Sequence, residues 1–564
     1  MHAIEHTYVS LLADVARLSG FSEIRGSYDG LQWCLNEAPK LEKLMLEHIE
    51  LGIKPELEKY PAWLRRLVAG SFEDPVLLRY LRQLLLFCYK ASVTHDKTTT
   101  EKAFRCFIET NRDVGAFGNR FSTESPKLLN IARRHCQSVL YRFREGSLSP
   151  SHGPGAVTTD KDRWKHLYST IEYLYAYSDW YSPYFNMDAA KHWENLEHRD
   201  TIQAKLIAVP KDSRGPRLIC VHPAEAIWLQ QGLRRELERA ITLRRYASGP
   251  WPSGRIQFDS QESNGSIALS SSRTRLYATL DMKEASDRIS EPLVQVLFGD
   301  KYKWFGCCRA QEYIIPAAGG LANIRGQINC YAPMGNATTF PVQSLVFWSI
   351  CVAALQSRGF HQPGAVFVFG DDIIVPTECA EYVIDALESF GLLVNRTKSF
   401  YRGGFRESCG VDAFKGVDVT PVRWKTTLDA EHDIGMQSLS DLAMRLRIAG
   451  YEESAVTAYA LLQERLWSRC GWMLPLTSNT DHGGIAEFST LEASVWRDAY
   501  WHRDYQRFVS PVVRLETSEH RLRSCDWNHV LESLCSLERS GRSSIPVRNV
   551  SRRTRLNRGW ISIR

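Results

Sequence analysis

The segment Val366-Phe-Val-Phe-Gly370-Asp371-Asp372-Ile-Ile-Val375 constrains the fold more than any other part of the chain. Two apolar runs of strand-forming residues flank a Gly-Asp-Asp turn, the pattern of a β-hairpin with two adjacent carboxylates at its tip. Neighbouring acids between such runs are costly unless a cation neutralises them. A bare Gly-Asp-Asp arises by chance in on the order of one chain in ten of this length, so by itself it equally describes a solvated turn. A second acid-bearing strand shifts the balance. Leu276-Tyr-Ala-Thr-Leu-Asp281 ends a β-like run on an aspartate, and Lys283-Glu-Ala-Ser-Asp287 opens a helix. Magnesium takes hard oxygen ligands and leaves coordination sites for phosphates. Two such ions about 3.5–4 Å apart clamp the attacking and leaving oxygens of a phosphoryl transfer. Asp281 and Asp371 suit that role, with Asp372 assisting.

Between the two acidic strands lies Pro333-Met-Gly335-Asn336-Ala-Thr338-Thr339-Phe-Pro341. Gly335 gives a flexible loop, Pro341 suits a first helical turn and Gly359 a helix stop, so a loop leads into a helix here. Asn336 and the threonines then stand beside the carboxylates, able to bind a sugar hydroxyl, although a helix cap explains Thr338 or Thr339 equally well. The uncharged stretch Ala337–Ser357 contains Pro341, two glutamines and several hydroxyl residues, and is predicted to be a buried helix, not a membrane span. Upstream, Val209-Pro-Lys211-Asp-Ser-Arg214-Gly-Pro-Arg217 places three cations around a Gly-Pro turn between β-like runs, a hairpin able to hold a triphosphate. As an isolated pattern it is more often a solvated turn. Asn395-Arg-Thr-Lys398 and Phe405-Arg406-Glu-Ser-Cys-Gly410 add cations downstream.

The chain has 564 residues, enough for roughly three or four packed units. With 44% hydrophobic and 24% charged residues, wholesale disorder and fibrous repeats are excluded. The 14 cysteines include no CxxC pair, as expected of reduced thiols in a cytoplasmic protein without a zinc site of the usual spacing. Residues 1–20 lack the basic-then-apolar order of a secretion signal. Helical periodicity marks residues 1–150, strands alternate with helices from about 202 to 420, and helical periodicity returns from about 426 to 537. Residues 539–564 carry eight arginines, with no lysine and no acid. The formal net charge of +6 is therefore concentrated there. Such a tail is either an RNA-binding extension or a disordered solubilising end.

In this order, VPKDSRGPR, LDMKEASDRIS, PMGN with TFPVQSLVFW, FGDDIIVP, NRTKSF and FRESCG resemble motifs F, A, B, C, D and E of a palm-type RNA-directed RNA polymerase. More narrowly, they resemble the replicase catalytic (beta) subunit of the leviviruses, positive-strand RNA bacteriophages. The resemblance covers roughly residues 205 to 421. It implies an α+β right-hand fold: a helix-rich N-terminal region and fingers scaffold (1–150), fingers with the basic hairpin (151–275), palm (276–424), helical thumb (425–538) and basic tail (539–564). It also implies that Asp281, Asp371 and Asp372 hold two Mg²⁺ ions, with Mn²⁺ as a substitute. Asp287 and Asn336 would check the ribose 2′-hydroxyl, Lys211, Arg214 and Arg217 would hold the incoming triphosphate, and Lys398 would act as acid toward pyrophosphate. The implied partners are template RNA, NTPs, host elongation factors Tu and Ts and, in some cases, ribosomal protein S1, in the cytoplasm of a bacterial host and with no membrane. Pro333 and His222 depart from the familiar pattern, marking a divergent member. The alternatives are a narnavirus or mitovirus polymerase, a reverse transcriptase, and an inactive RNA-binding protein of the same fold. Polar Asp287 and Asn336 argue against the aromatic sugar barrier usual in a reverse transcriptase.

Overall fold

The computed structural model describes residues 2–24, 30–151, 155–158, 201–243, 252–316, 323–360, 364–430, 433–471, 500–504, 506–521 and 550–562. Residues 164–184, rich in Trp and Tyr, and tail residues 539–549 and 563–564 lie outside them. The N-terminal stretch folds as its i, i+3, i+4 spacing predicts, into α1 (Ala3–Ser19), α2 (Ala38–Leu51), α3 (Ala62–Ser71), α4 (Pro75–Leu86), α5 (Lys97–Phe117) and α6 (Pro126–Leu140). Local chemistry sets the boundaries. Asp74 and Asp96 accept backbone N–H groups at the starts of α4 and α5, and Pro75 takes the first helical position.

The basic segment is a hairpin of β1 (Gln203–Asp212) and β2 (Gly215–Val221), with Ser213 and Arg214 as its two-residue turn. It is followed by α7 (Ala224–Thr242) and α8 (Glu262–Thr274). The acidic strand is β3 (Tyr277–Lys283). A second hairpin, β4 (Glu312–Ile315) and β5 (Ile324–Gln327), extends the first sheet in the order β2-β1-β4-β5. Next come α9 (Thr339–Ser357), β6 (Phe367–Phe369), β7 (Asp372–Pro376), α10 (Ala380–Ser389) and β8 (Leu393–Val394). These give the central antiparallel sheet, in the order β6-β7-β3-β8. A small sheet of β9 (Phe405–Ser408), β10 (Val411–Phe414) and β11 (Val417–Asp418) lies beside it, and α11 (Asp433–Ile448) and α12 (Glu452–Cys470) follow.

Helix α9 is long and apolar enough to cross a membrane, but it is a core helix of this fold, buried from Pro341 to Leu355. An amphipathic stripe is unnecessary for a helix covered on all sides. It packs with α6, α10 and the central sheet into one hydrophobic core. No described cysteine is disulfide-bonded.

The N-terminal region divides between two cores. Phe104 to Leu148 join the core around α9, whereas α1 to α4 join a second core with Phe400 to Trp424, α11 and α12. Polar contacts fix that second union. The buried Asp14 of α1 accepts the N–H groups of Glu453 and Ser454 and the Ser454 hydroxyl, so a distant helix caps the start of α12. Glu50 of α2 accepts the N–H groups of Tyr401, Arg402 and Gly403.

Helical periodicity misled at 500–521. This stretch forms β12 (Tyr500–His502) and β13 (Arg507–Arg521), and β13 pairs antiparallel with β14 (Val550–Ser562) inside the Arg-rich tail. Phe508, Val509, Val512, Val513 and Thr517 are strand formers and Pro511 blocks a helix interior, and the pairing of β13 with β14 completes the strand. In the β13–β14 register Glu516 stands opposite Arg555 and Glu519 opposite Arg552. Residues 550–562 are thus ordered as a strand.

Candidate active site

The Gly-Asp-Asp motif is a tight hairpin in which Gly370 and Asp371 form the turn and Phe369 pairs with Asp372. Gly370 has φ +63°, and a Cβ there would meet the Phe340 ring at 2.5 Å, so the first turn position needs glycine on both counts. Strand β3 lies along β7 with Asp281 directly opposite Asp372. Opposed residues of an antiparallel pair lie about 4.5–5.5 Å apart at Cα, so two carboxylates share one edge of the sheet and Asp371 sits exposed at the tip beside them.

Each acid has a positioned environment. Asp281 donates its N–H to Ser399 Oγ at 3.1 Å, and its Oδ2 accepts Asn395 Nδ2 at 2.8 Å. Asp372 Oδ2 accepts the Cys409 N–H at 3.1 Å. That donor comes from the Cys409-Gly410 turn between β9 and β10, where both residues have positive φ, 52° and 80°. Burial pushes the Asp281 carboxyl above its ordinary range, Asp371 adds to the rise, and Lys398 opposes it. Burial, then Asp371 and Asp281, push Asp372 up to about 7.

The predicted cations converge on this edge. Burial works against the Lys398 ammonium, but Glu407 and Asp281 outweigh it and hold its pKa above the ordinary value. Lys211 feels burial and the charges of Arg217, Arg214 and Lys398, and its pKa falls below the ordinary value. Arg214 is bidentate to Asp212, at 2.9 and 3.2 Å, lies over the Tyr89 ring at 4.6 Å, and senses Asp281. Two other cations do not belong to the site. Arg406 is fully buried and donates to the carbonyls of Tyr277, Gly403 and Phe405, while Arg396 is paired with Glu388.

The Met-Gly-Asn loop sits against the basic hairpin. Cys220 of β2 donates to the Met334 carbonyl at 2.8 Å, and Gly335, at φ +120°, lies where a Cβ would collide with the Cys220 carbonyl. Asn336 Oδ1 accepts both the N–H and the hydroxyl of Thr338 at 2.8 Å. The threonines therefore do not cap α9: Thr338 binds Asn336 and Tyr331, and Thr339 binds the Ala332 and Pro333 carbonyls. Asp287, in the short helix Ala285–Arg288, is pushed up to about 6 by burial, with the Met334 backbone among its partners. Asp287 therefore lies against the Met-Gly-Asn loop.

Sequence reasoning missed several supports. Glu407 donates its N–H to Thr279 Oγ1 of β3, and its carboxyl is raised first by burial and then by Asp412. Arg309, buried, donates to the carbonyls of Ile328, Cys330 and Tyr331 just before the loop. Glu284, at φ +53°, accepts Thr110 and Arg288 and fixes the chain leaving β3. Only Glu407 carried a signal, as the one acid inside FRESCG.

The fold is α+β, with an antiparallel sheet that gathers Asp281, Asp371 and Asp372 at one edge. Residues 170–443 match the family described as RNA replicase, beta-chain, and the chain is similar to phage proteins of that description. It is 33% identical to the RNA-directed RNA polymerase beta chain of Escherichia phage MS2 over 43% of this chain and 41% of that one. For the beta chain of Enterobacteria phage fr the values are 34%, 38% and 36%, and for subunit beta of Qbeta virus strain MX1 they are 33%, 38% and 34%. The chain thus spans about two fifths of the length of the curated relatives it matches. A solved chain titled RdRp complex is similar with a TM-score of 0.42 at 10% identity, over 76% of this chain and 43% of that one.

Proposed function

We propose that the chain is an RNA-directed RNA polymerase of the levivirus replicase kind, building RNA from NTPs on an RNA template inside a bacterial host. The observation that carries this reading is the opposition of Asp281 and Asp372 beside the Asp371 tip, with Lys211, Arg214 and Lys398 drawn in around it.

Asp281, Asp371 and Asp372 offer only hard oxygen donors, and the upward push on Asp281 and Asp372 is the strain a divalent cation relieves. Among the described residues no three acid, histidine or cysteine side chains close into a metal cage. An open edge suits Mg²⁺, which keeps water and phosphate ligands. Two Mg²⁺ ions, or Mn²⁺ in their place, would activate the attacking 3′-hydroxyl and neutralise charge on the leaving pyrophosphate. Lys211, Arg214 and Arg217 bind and orient the triphosphate. Lys398, kept protonated by Glu407 and Asp281, holds a proton for the leaving group. Asp287 and the Nδ2 of Asn336 take the ribose 2′-hydroxyl, which favours NTPs over dNTPs.

In this reading residues 151–275 serve as fingers, 276–424 as palm, and α11 and α12 as part of the thumb, braced by α1 to α4. By resemblance, host elongation factors Tu and Ts and ribosomal protein S1 are candidate partners, testable by pull-down from host lysate. The deciding experiment is nucleotide incorporation on template RNA with Mg²⁺: wild type extends RNA and Asp371→Asn does not. Equal extension by the variant would overturn the site, and a preference for dNTPs would favour a reverse transcriptase.

A further inference from the structure

One side chain at the basic hairpin comes from outside the matched stretch 170–443: Tyr89, shortly after the end of α4. It is half-buried and packs against the second core, with Phe87 and Cys88 buried just before it. Two backbone bonds seat this segment beside the chain that leads to α11. Trp424 donates its N–H to the Phe87 carbonyl at 2.9 Å, and Ser92 donates to the Thr426 carbonyl at 3.0 Å. The basic hairpin belongs to the other core, through Leu206 and Cys220. Tyr89 joins the two. Its carbonyl accepts both the N–H of Ser213, at 3.3 Å, and the Ser213 hydroxyl, at 3.1 Å, so the two-residue turn is tied down by backbone. Its ring lies against the Arg214 guanidinium, 4.6 Å from the ring centroid. Arg214 is thereby held on two sides. Asp212 occupies the edge bearing Nε and Nη2, at 3.2 and 2.9 Å, and Tyr89 covers one face. A guanidinium offers more N–H donors than those two bonds use. Among the described residues no acceptor binds Nη1, and the Arg214 side chain is 51% exposed. Burial pushes the Tyr89 hydroxyl above its ordinary range while Arg214 and Lys398 pull it back, so both cations act on the phenol.

We propose that Tyr89 is a positioning residue for the incoming nucleotide: its ring holds the Arg214 guanidinium in place, so that the unpaired edge is ordered before the triphosphate arrives. A mobile arginine loses rotamer freedom when it binds a phosphate, and that loss is subtracted from affinity. An aromatic face that already fixes the planar guanidinium removes the cost in advance. An aliphatic side chain at position 89 would fill the same space without a π face, and the backbone bonds to Ser213 would persist. The proposal rests on the polymerase reading for the role of Arg214, but its test is equilibrium binding and needs no RNA synthesis.

The test is calorimetric binding of ATP and of inorganic tripolyphosphate, each with Mg²⁺, to the full chain. Tyr89→Leu and Tyr89→Met, neither with an aromatic face, should weaken both ligands alike by about three- to tenfold, the cost of ordering one arginine side chain on binding. Using two such variants, each checked by thermal melting, keeps the result independent of whether one of them folds. Tyr89→Phe keeps the ring and should bind both ligands within about twofold of wild type. Arg214→Gln should weaken both, and adding Tyr89→Leu to it should cost nothing more, because the ring acts only through Arg214. Unchanged affinity in the folded leucine or methionine variant, or full additivity with Arg214→Gln, overturns the proposal. So does a loss for ATP without one for tripolyphosphate, which would assign the ring to stacking on the base. No binding of either ligand by wild type overturns the proposal together with the triphosphate role of the hairpin. Failure of the polymerase reading alone shows separately, as nucleotide binding by wild type without incorporation on template RNA.

Discussion

Asp281 and Asp372 face each other across the β3–β7 pair, so the acidic edge is built by strand register and not by the Gly-Asp-Asp turn alone. An acid whose folded pKa lies above the unfolded value near 4 weakens the fold once the unfolded chain ionises and the folded one does not. For Asp372, at about 7, stability is unaffected below pH 4, falls as pH rises from about 4 to about 7, and then levels off. The melting temperature of metal-free protein should drop over that window, and Asp372→Asn should flatten the drop. Millimolar Mg²⁺ should raise the melting temperature of wild type at pH 7.5 but not that of Asp281→Asn.

Lys398 keeps its proton because Glu407 and Asp281 outweigh its burial. Replacing it with leucine should lower the rate of incorporation about 100-fold or more, the range for a general acid. Nucleotide KM should change far less. Single-turnover kinetics over pH 6–9 separates the two effects, and Lys398→Arg, which cannot release a proton in that range, should fall well below wild type.

Gly335 and Asn336 predict different failures. Gly335→Ala forces a Cβ into the Cys220 carbonyl at a φ that side chains avoid, and should cost activity with all nucleotides. Asn336→Ala removes the Nδ2 donor and should narrow the preference for NTP over dNTP by at least tenfold, about 1.4 kcal/mol. The ratio of kcat/KM for UTP and dTTP measures it.

Arg82 is buried between Glu42, at 3.0 Å, and Asp412, at 3.1 Å, and ties α4 to α2 and β10. Arg82→Met leaves two buried carboxylates and should destabilise the fold by about 3–5 kcal/mol. Adding Glu42→Leu should recover part of the loss. Chemical denaturation monitored by tryptophan fluorescence reads both, and nucleotide KM should be unaffected in the folded fraction.

Local pattern made much of the site legible. Alternating apolar runs around Gly370-Asp371-Asp372, a strand ending at Asp281, cations flanking a turn at Arg214, and an uncharged run opened by Pro341 all folded as their spacing predicts, because period and turn chemistry act within a few residues. The same reasoning failed at 500–521, where strand-forming residues are stabilised by pairing with the distant segment 550–562. Nor did it show that Arg406, one of the cations downstream of the acidic hairpin, is turned inward by strand β9 to three backbone carbonyls.

The sequence by itself determined which residues carry charge, where chain turns fall and which runs are apolar, and those sufficed to point to an acidic hairpin, a basic hairpin and a polar loop. Only the tertiary structure decided that Asp281 opposes Asp372, that Glu407 and Asp281 hold the proton on Lys398, that Gly335 rests on Cys220, and that Glu50 and Asp14 bind backbone from the far end of the chain. Strand register and long-range hydrogen bonds depend on which surfaces meet when the cores form, and no local period encodes that choice.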